Sequence, residues 1–196
     1  VTSDYFILYK PRDIVSGDFY WFGEVDDKII IISADCTGHG VPGAFMSMYG
    51  IAFLNEIINK EKIYYPDNIL NSLREKISSS LNRGDDEFET MDGMDMSILT
   101  IDQSEQMALF AGANNSLYYI RDTELEIIKA DKMPVAFYQK MDPFTGHQIP
   151  FQTGDRFYIF TDGIIDQFGG ELGKKFLSRR LKDVLLEISH LSMPEQ

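Results

Sequence analysis

The chain is poor in thiols, in basic side chains and in long apolar runs, and each shortage excludes something. Its single cysteine, Cys36, rules out an intrachain disulfide and fits a reducing compartment. Lys and Arg number 18 against 31 Asp and Glu, for a formal net charge of −13 and a pI near 4.5. That balance argues against a binder of nucleic-acid backbones, whose affinity depends on Lys and Arg neutralising phosphates. No stretch approaches the roughly 18 apolar residues of a membrane span. The opening VTSDYFILYKPRD lacks the basic-then-apolar order of a signal peptide. A soluble cytoplasmic domain without direct membrane insertion is expected, although its parent chain could be membrane-anchored. No repeat, low-complexity tract or linker interrupts the sequence, so residues 1–196 read as a single domain. With 44% hydrophobic and 13% aromatic residues it can bury a substantial core.

What is present begins with two β-rich runs, FYWFGEV (Phe19–Val25) and KIIIISA (Lys28–Ala34), separated by Asp26-Asp27. They read as a β-hairpin, with the Ile29–Ile32 run marking a central strand buried on both faces. A glycine-rich turn, DCTGHGVPG, then leads into a helix expected from about Pro42 to Lys60. Phe45, Met48, Tyr49, Ala52, Phe53 and Ile57 recur at helical spacing, with Met46, Ile51 and Leu54 filling adjacent faces, a broad apolar surface that implies packing on both a sheet and another helix. A second helix is expected over Pro66–Leu81, followed by the acidic loop Asn82–Gly93. Strands are expected at Met96–Ile101, Met107–Ala111, Leu117–Ile120, Leu125–Ile128, Val135–Tyr138 and Arg156–Thr161. A last helix is expected from about Leu172 to Ser189, with Phe176, Leu177, Leu181, Val184, Leu185 and Ile188 facing inward. This order predicts an α+β sandwich of mainly antiparallel sheets with helical outer layers, not a doubly wound α/β fold.

If Asp26-Asp27 is a two-residue hairpin loop, continuing the register places Asp18 opposite Asp35 at the open end. Like charges opposed across a ladder repel, and a divalent cation is the simplest group to offset them. Asp162, just before Gly163 at the end of another apolar strand, is a third acid of the same kind. An all-oxygen set favours Mg²⁺ or Mn²⁺, since Zn²⁺ sites usually contain His or Cys.

Five segments occurring in order, SGDFYWF (Ser16–Phe22), DCTGHGVPGAFMSM (Asp35–Met48), AGANNSLYYIR (Ala111–Arg121), DKMPVAF (Asp131–Phe137) and FTDGIIDQFGG (Phe160–Gly170), resemble the SpoIIE-type (RsbU-like) branch of the PPM, or PP2C-like, metal-dependent serine/threonine phosphatases. The resemblance implies an α-β-β-α sandwich whose two Mn²⁺ or Mg²⁺ ions activate water to hydrolyse phosphoserine or phosphothreonine. It assigns Asp35 as the carboxylate bridging both metals, Asp18 and Asp162 as further ligands, and the backbone carbonyl of Cys36 as an oxygen donor. It also implies a bacterial signalling protein with sensor domains on the parent chain, acting on a phosphorylated STAS-type anti-sigma-factor antagonist. Relatives continue into a final strand bearing another metal-binding aspartate, so the chain is expected to be truncated at its C-terminus and only weakly active.

Other residues have two readings each. His39 relays a proton to the leaving group or simply packs the GHG turn. Arg12 binds substrate phosphate through bidentate hydrogen bonds or forms a surface ion pair. The Cys36 thiol is not expected to act as a nucleophile. Asp95 is read as the end of the acidic loop in preference to a group supporting the site. Ala113 stands where many relatives have a histidine, before Asn114 and Asn115. The rival function is a non-catalytic pseudophosphatase acting as a binding module. A calcium-binding structural domain fits less well, because the acids come from separated strand ends.

Overall fold

The computed structural model describes residues 4–11, 14–38, 40–81, 93–136, 141–170 and 173–196. Strands β1 (Phe19–Val25) and β2 (Lys28–Cys36) form the hairpin, with Val25 opposite Lys28 and Phe19 opposite Ala34. Asp26 and Asp27 both adopt positive φ (50° and 62°), the conformation of a type I′ turn, whose twist suits the flanking strands. Strands β3 (Met94–Asp102), β4 (Met107–Ala113) and β7 (His147–Pro150) complete a five-stranded antiparallel sheet in the order β1-β2-β3-β4-β7. A three-stranded sheet, β6-β5-β8, is built from β5 (Leu117–Arg121), β6 (Glu124–Ile128) and β8 (Arg156–Tyr158).

Alternation along the strands sorts side chains into three apolar layers. Ile30, Ile32 and Ala34 of β2, with Met96 and Ile98 of β3, face helices α1 (Val41–Asn55) and α2 (Pro66–Leu81). Leu99, Phe110 and Leu117 fill the space between the sheets. Tyr118, Ile120 and Tyr158 pack beneath α3 (Leu177–Ile188) through Leu181 and Leu185. The layers are therefore helix, sheet, sheet, helix, as the sequence predicts.

Several details depart from expectation. β2 is fully buried only on the face of Ile30 and Ile32, whereas Ile29 and Ile31 are half-buried. The three-stranded sheet packs over β3 and β4 and leaves this part of β2 partly uncovered. Helix α1 buries Met46, Gly50 and Leu54, then Ile57 and Ile58 in a π-helical turn at Glu56–Lys60. As expected the helix packs on both the sheet and α2, through Met46, Leu54 and Ile57, while Phe45, Met48 and Tyr49 are exposed. The segment Val41–Lys60 is in fact long and apolar enough to cross a membrane (mean hydropathy 1.3), yet one side of it packs on the sheet and α2. Only Val135 of the expected strand at Val135–Tyr138 pairs, bridging Met94, and residues 137–140 lie outside the described set. α3 starts five residues later than predicted, and Leu177 is exposed.

Candidate active site

Four aspartates converge where the open end of the hairpin meets the second sheet. Asp18 immediately precedes β1. Its N–H donates to the Ser16 hydroxyl (3.0 Å), its carbonyl accepts from the Tyr9 hydroxyl (3.0 Å), and its Oδ2 accepts from the Thr161 hydroxyl (3.1 Å). Ser47 of α1 donates to the Ser16 carbonyl at 3.3 Å, which fixes the segment leading to Asp18 against the helix. Asp35 lies near the end of β2, close enough to the Asp18 and Asp162 carboxylates for their charges to act on it. Burial, followed by the charges of Asp18 and Asp162, pushes its pKa up to about 8. Asp162 begins a single 3₁₀ turn (Asp162–Ile164) four residues beyond β8, and so does not terminate a strand as predicted. The turn is closed by the Ile165 and Asp166 N–H groups, each donating to the Asp162 carbonyl at 2.9 Å.

The fourth acid was misread from sequence. Asp95 lies on β3 directly opposite Asp35, not at the end of a loop. Burial raises its pKa, the Asn114 hydrogen bond opposes that shift, and the charge of Asp162 adds to it. Asn114 occupies a left-handed turn position (φ 60°) and donates its Nδ2 to Asp95 Oδ1 at 2.7 Å. The available signal was register: with β2 central, the residue paired with Asp35 had to come from its second neighbour.

Backbone packing shapes the rest of the site. A Cβ added to Gly17 would lie 2.9 Å from the Cys36 carbonyl oxygen and 3.0 Å from that of Gly38, so the Cys36 carbonyl abuts the segment carrying Asp18. Thr37 clasps the start of β3, its N–H and hydroxyl donating to the Gly93 carbonyl at 2.9 and 3.1 Å. The Cys36 side chain turns away into the helix-facing core, 2% exposed. Burial and the nearby charges of Asp35 and Asp18 push the thiol's pKa up to about 12, so it stays protonated and is neither a nucleophile nor a soft metal ligand. His39 and Arg12 lie outside the described residues.

Among the described residues no ion pair reaches Asp18, Asp35, Asp95 or Asp162. Nor are any three acidic, His or Cys side chains among them closed around one point, so the structure shows converging carboxylates and not a finished coordination shell. The donors are hard oxygens carrying like charges, and burial together with that repulsion raises the Asp35 pKa. That chemistry fits a Mg²⁺- or Mn²⁺-type cation better than zinc.

Residues 25–196 match the family model described as Stage II sporulation protein E (SpoIIE). The chain belongs to the SpoIIE family. It is 35% identical to the SiaA PP2C domain of Pseudomonas aeruginosa, with a TM-score of 0.85 over 97% of this chain and 73% of that one. The RsbU and RsbW domains of Rv1364c from Mycobacterium tuberculosis match at 17% identity and a TM-score of 0.69, over 91% of this chain and 48% of theirs. RsbX in complex with magnesium matches at 17% identity and a TM-score of 0.61, over 95% and 86%. No curated protein sequence matches significantly. This SpoIIE-family chain is thus a PP2C-like protein phosphatase domain with an antiparallel α+β fold.

Proposed function

We propose that this SpoIIE-family domain hydrolyses phosphoserine or phosphothreonine on a regulatory protein by a metal-dependent attack of water. The observation that carries this reading is the convergence of Asp18, Asp35 and Asp162 in a PP2C-like fold. Asp35, the central acid, would bridge two ions, with Asp18, Asp162 and the Cys36 carbonyl as further ligands. Mn²⁺ or Mg²⁺ bound there supplies Lewis-acid activation of water and offsets negative charge at the phosphoryl group. RsbX, a more distant relative, is a magnesium complex, which supports this choice.

The protein's own groups set the remaining conditions. Thr161 and Ser16 hold the Asp18 segment, and Thr37 holds the backbone after Cys36. With water as the nucleophile no phosphoenzyme is required, and the buried Cys36 thiol takes no part. His39, beside the site in sequence, would return a proton to the leaving serine or threonine oxygen, and Arg12 would hold substrate phosphate. The substrate class we favour is a phosphorylated STAS-type anti-sigma-factor antagonist, a reading supported by likeness to an RsbU domain. We place the domain in the cytoplasm of a bacterium, on a chain whose other domains sense the signal. A pseudophosphatase role is disfavoured because a decayed site has no reason to keep like charges converging.

The test is hydrolysis of an aryl phosphate and of a phosphoserine protein as Mn²⁺ is titrated. Asp35→Asn is expected to lower the rate by about 100-fold or more. An unchanged rate in that variant sinks the mechanism.

A further inference from the structure

Beside the Asp162 turn lies a surface whose charge opposes that of the molecule as a whole. After the turn the chain forms a short antiparallel ribbon, Phe168–Gly169 against Lys174–Lys175, which leads into α3. Lys174, Lys175, Arg179 and Arg180 are exposed here, and Lys182 is half-buried with its ammonium over the Tyr118 ring. From Gly173 to Lys182 the sequence holds no acid, in a chain of net charge −13. The acids around this run are Asp166, which pairs with Lys175 at 2.7 Å, Glu171, three residues before Lys174 in sequence, and Asp183, next to Lys182.

Two large apolar side chains stand among these cations, Phe168 at 75% and Leu177 at 55% exposure. Leu177 also holds a left-handed backbone conformation, φ 65°. That costs an ordinary L-residue roughly 1–2 kcal/mol, and strain of this kind concentrates at functional positions. The surface is wired to the catalytic turn through the main chain. The Leu177 N–H donates to the Ile165 carbonyl and the Phe176 N–H to that of Gln167, both at 2.8 Å. Ile165 itself closes the turn onto Asp162 at 2.9 Å.

We propose that the ribbon and the first turn of α3 dock an acidic segment of the phosphoprotein substrate, with Phe168 and Leu177 receiving an apolar side chain from it. That the bound partner is the substrate rests on the phosphatase reading above, whereas binding itself needs no catalysis. A cationic, apolar-studded edge complements an acidic segment that presents an apolar side chain: the cations steer and orient it, and Phe168 and Leu177 offer an apolar contact that a nucleic-acid backbone or a lipid headgroup would not use.

The experiment is a fluorescence-anisotropy titration of the full chain with a labelled, unphosphorylated peptide carrying Glu and Asp around one Leu. It compares wild type, Arg179→Glu/Arg180→Glu and the milder Lys174→Gln/Lys175→Gln, with circular dichroism to confirm folding. At low salt, charge reversal is expected to weaken binding by about tenfold or more and neutralisation by about threefold. Aryl phosphate hydrolysis should stay within about twofold in both, because a substrate that small does not reach the ribbon. Equal binding by wild type and the folded variants overturns the proposal. So does absence of saturable binding, or a wild-type preference for a DNA oligonucleotide or an anionic vesicle over the peptide. If wild type fails to hydrolyse aryl phosphate, the phosphatase reading falls and the docking surface is still judged by anisotropy alone.

Discussion

Asp35 takes its proton affinity from its surroundings: a sheet that keeps water away and two carboxylates that repel a third charge. Folded, it holds a proton to about pH 8, whereas in an unfolded chain an aspartate releases it near pH ~3.9. Between those values the native state binds the extra proton. The Asp35 contribution is thus fully present at low pH and is lost as pH rises towards 8. Thermal melts in chelator should show less stability from this group at about pH 8 than at about pH 5, and Asp35→Asn should remove the difference. Mn²⁺ should invert the trend, stabilising most at the alkaline end, where it no longer displaces a proton. Cys36 provides a control at the same site. Because its thiol is buried and protonated, native protein should resist iodoacetamide, and Cys36→Ala should keep hydrolysis within about threefold of wild type. Labelling without denaturant would contradict that account.

Among the elements, the hairpin was the most legible, because Asp26-Asp27 sits between two β-rich runs whose register a two-residue turn fixes. The turn chemistry is nonetheless second-best. Both residues hold positive φ, and Asp27→Gly should stabilise the protein by about 0.5–1 kcal/mol, read as a higher melting temperature. Asp26 is less suitable for replacement, because it accepts a hydrogen bond from the Tyr64 hydroxyl. The structural neighbourhood of Asp18, Asp35 and Asp162 was within reach of the sequence because each flanks a strand or a glycine turn. Asp95 was harder to read, since its importance comes from lying across from Asp35, and that register is usable only once β3 is recognised as the second neighbour of β2. β7 escaped because HQIP lacks β-branched alternation and forms only as an edge on β4. The packing of α1 on both a sheet and α2 was legible in its broad apolar surface, but which residues face inward was not, because spacing cannot choose an inner face when every face is apolar.

At the scale of the molecule, the two sheets are held face to face by a thin layer centred on Phe110, the bulkiest fully buried side chain. Phe110→Ala should cost about 3–5 kcal/mol in denaturant titration, a loss that refilling by its neighbours cannot recover. A cost below about 1 kcal/mol would mean that the sheets are coupled elsewhere. The same layering sets an order of assembly. The Thr161–Asp18 hydrogen bond joins residues 143 apart in sequence and links the hairpin of one sheet to the strand exit of the other. Contacts of such separation form late, after local hairpins and helices have closed. On a ribosome the hairpin can be complete long before Asp162 has been synthesised, and Asp18 then waits without its partner. Appearance of Mn²⁺-dependent activity during synthesis or refolding would therefore mark the finished fold, and no early intermediate should hydrolyse phosphate.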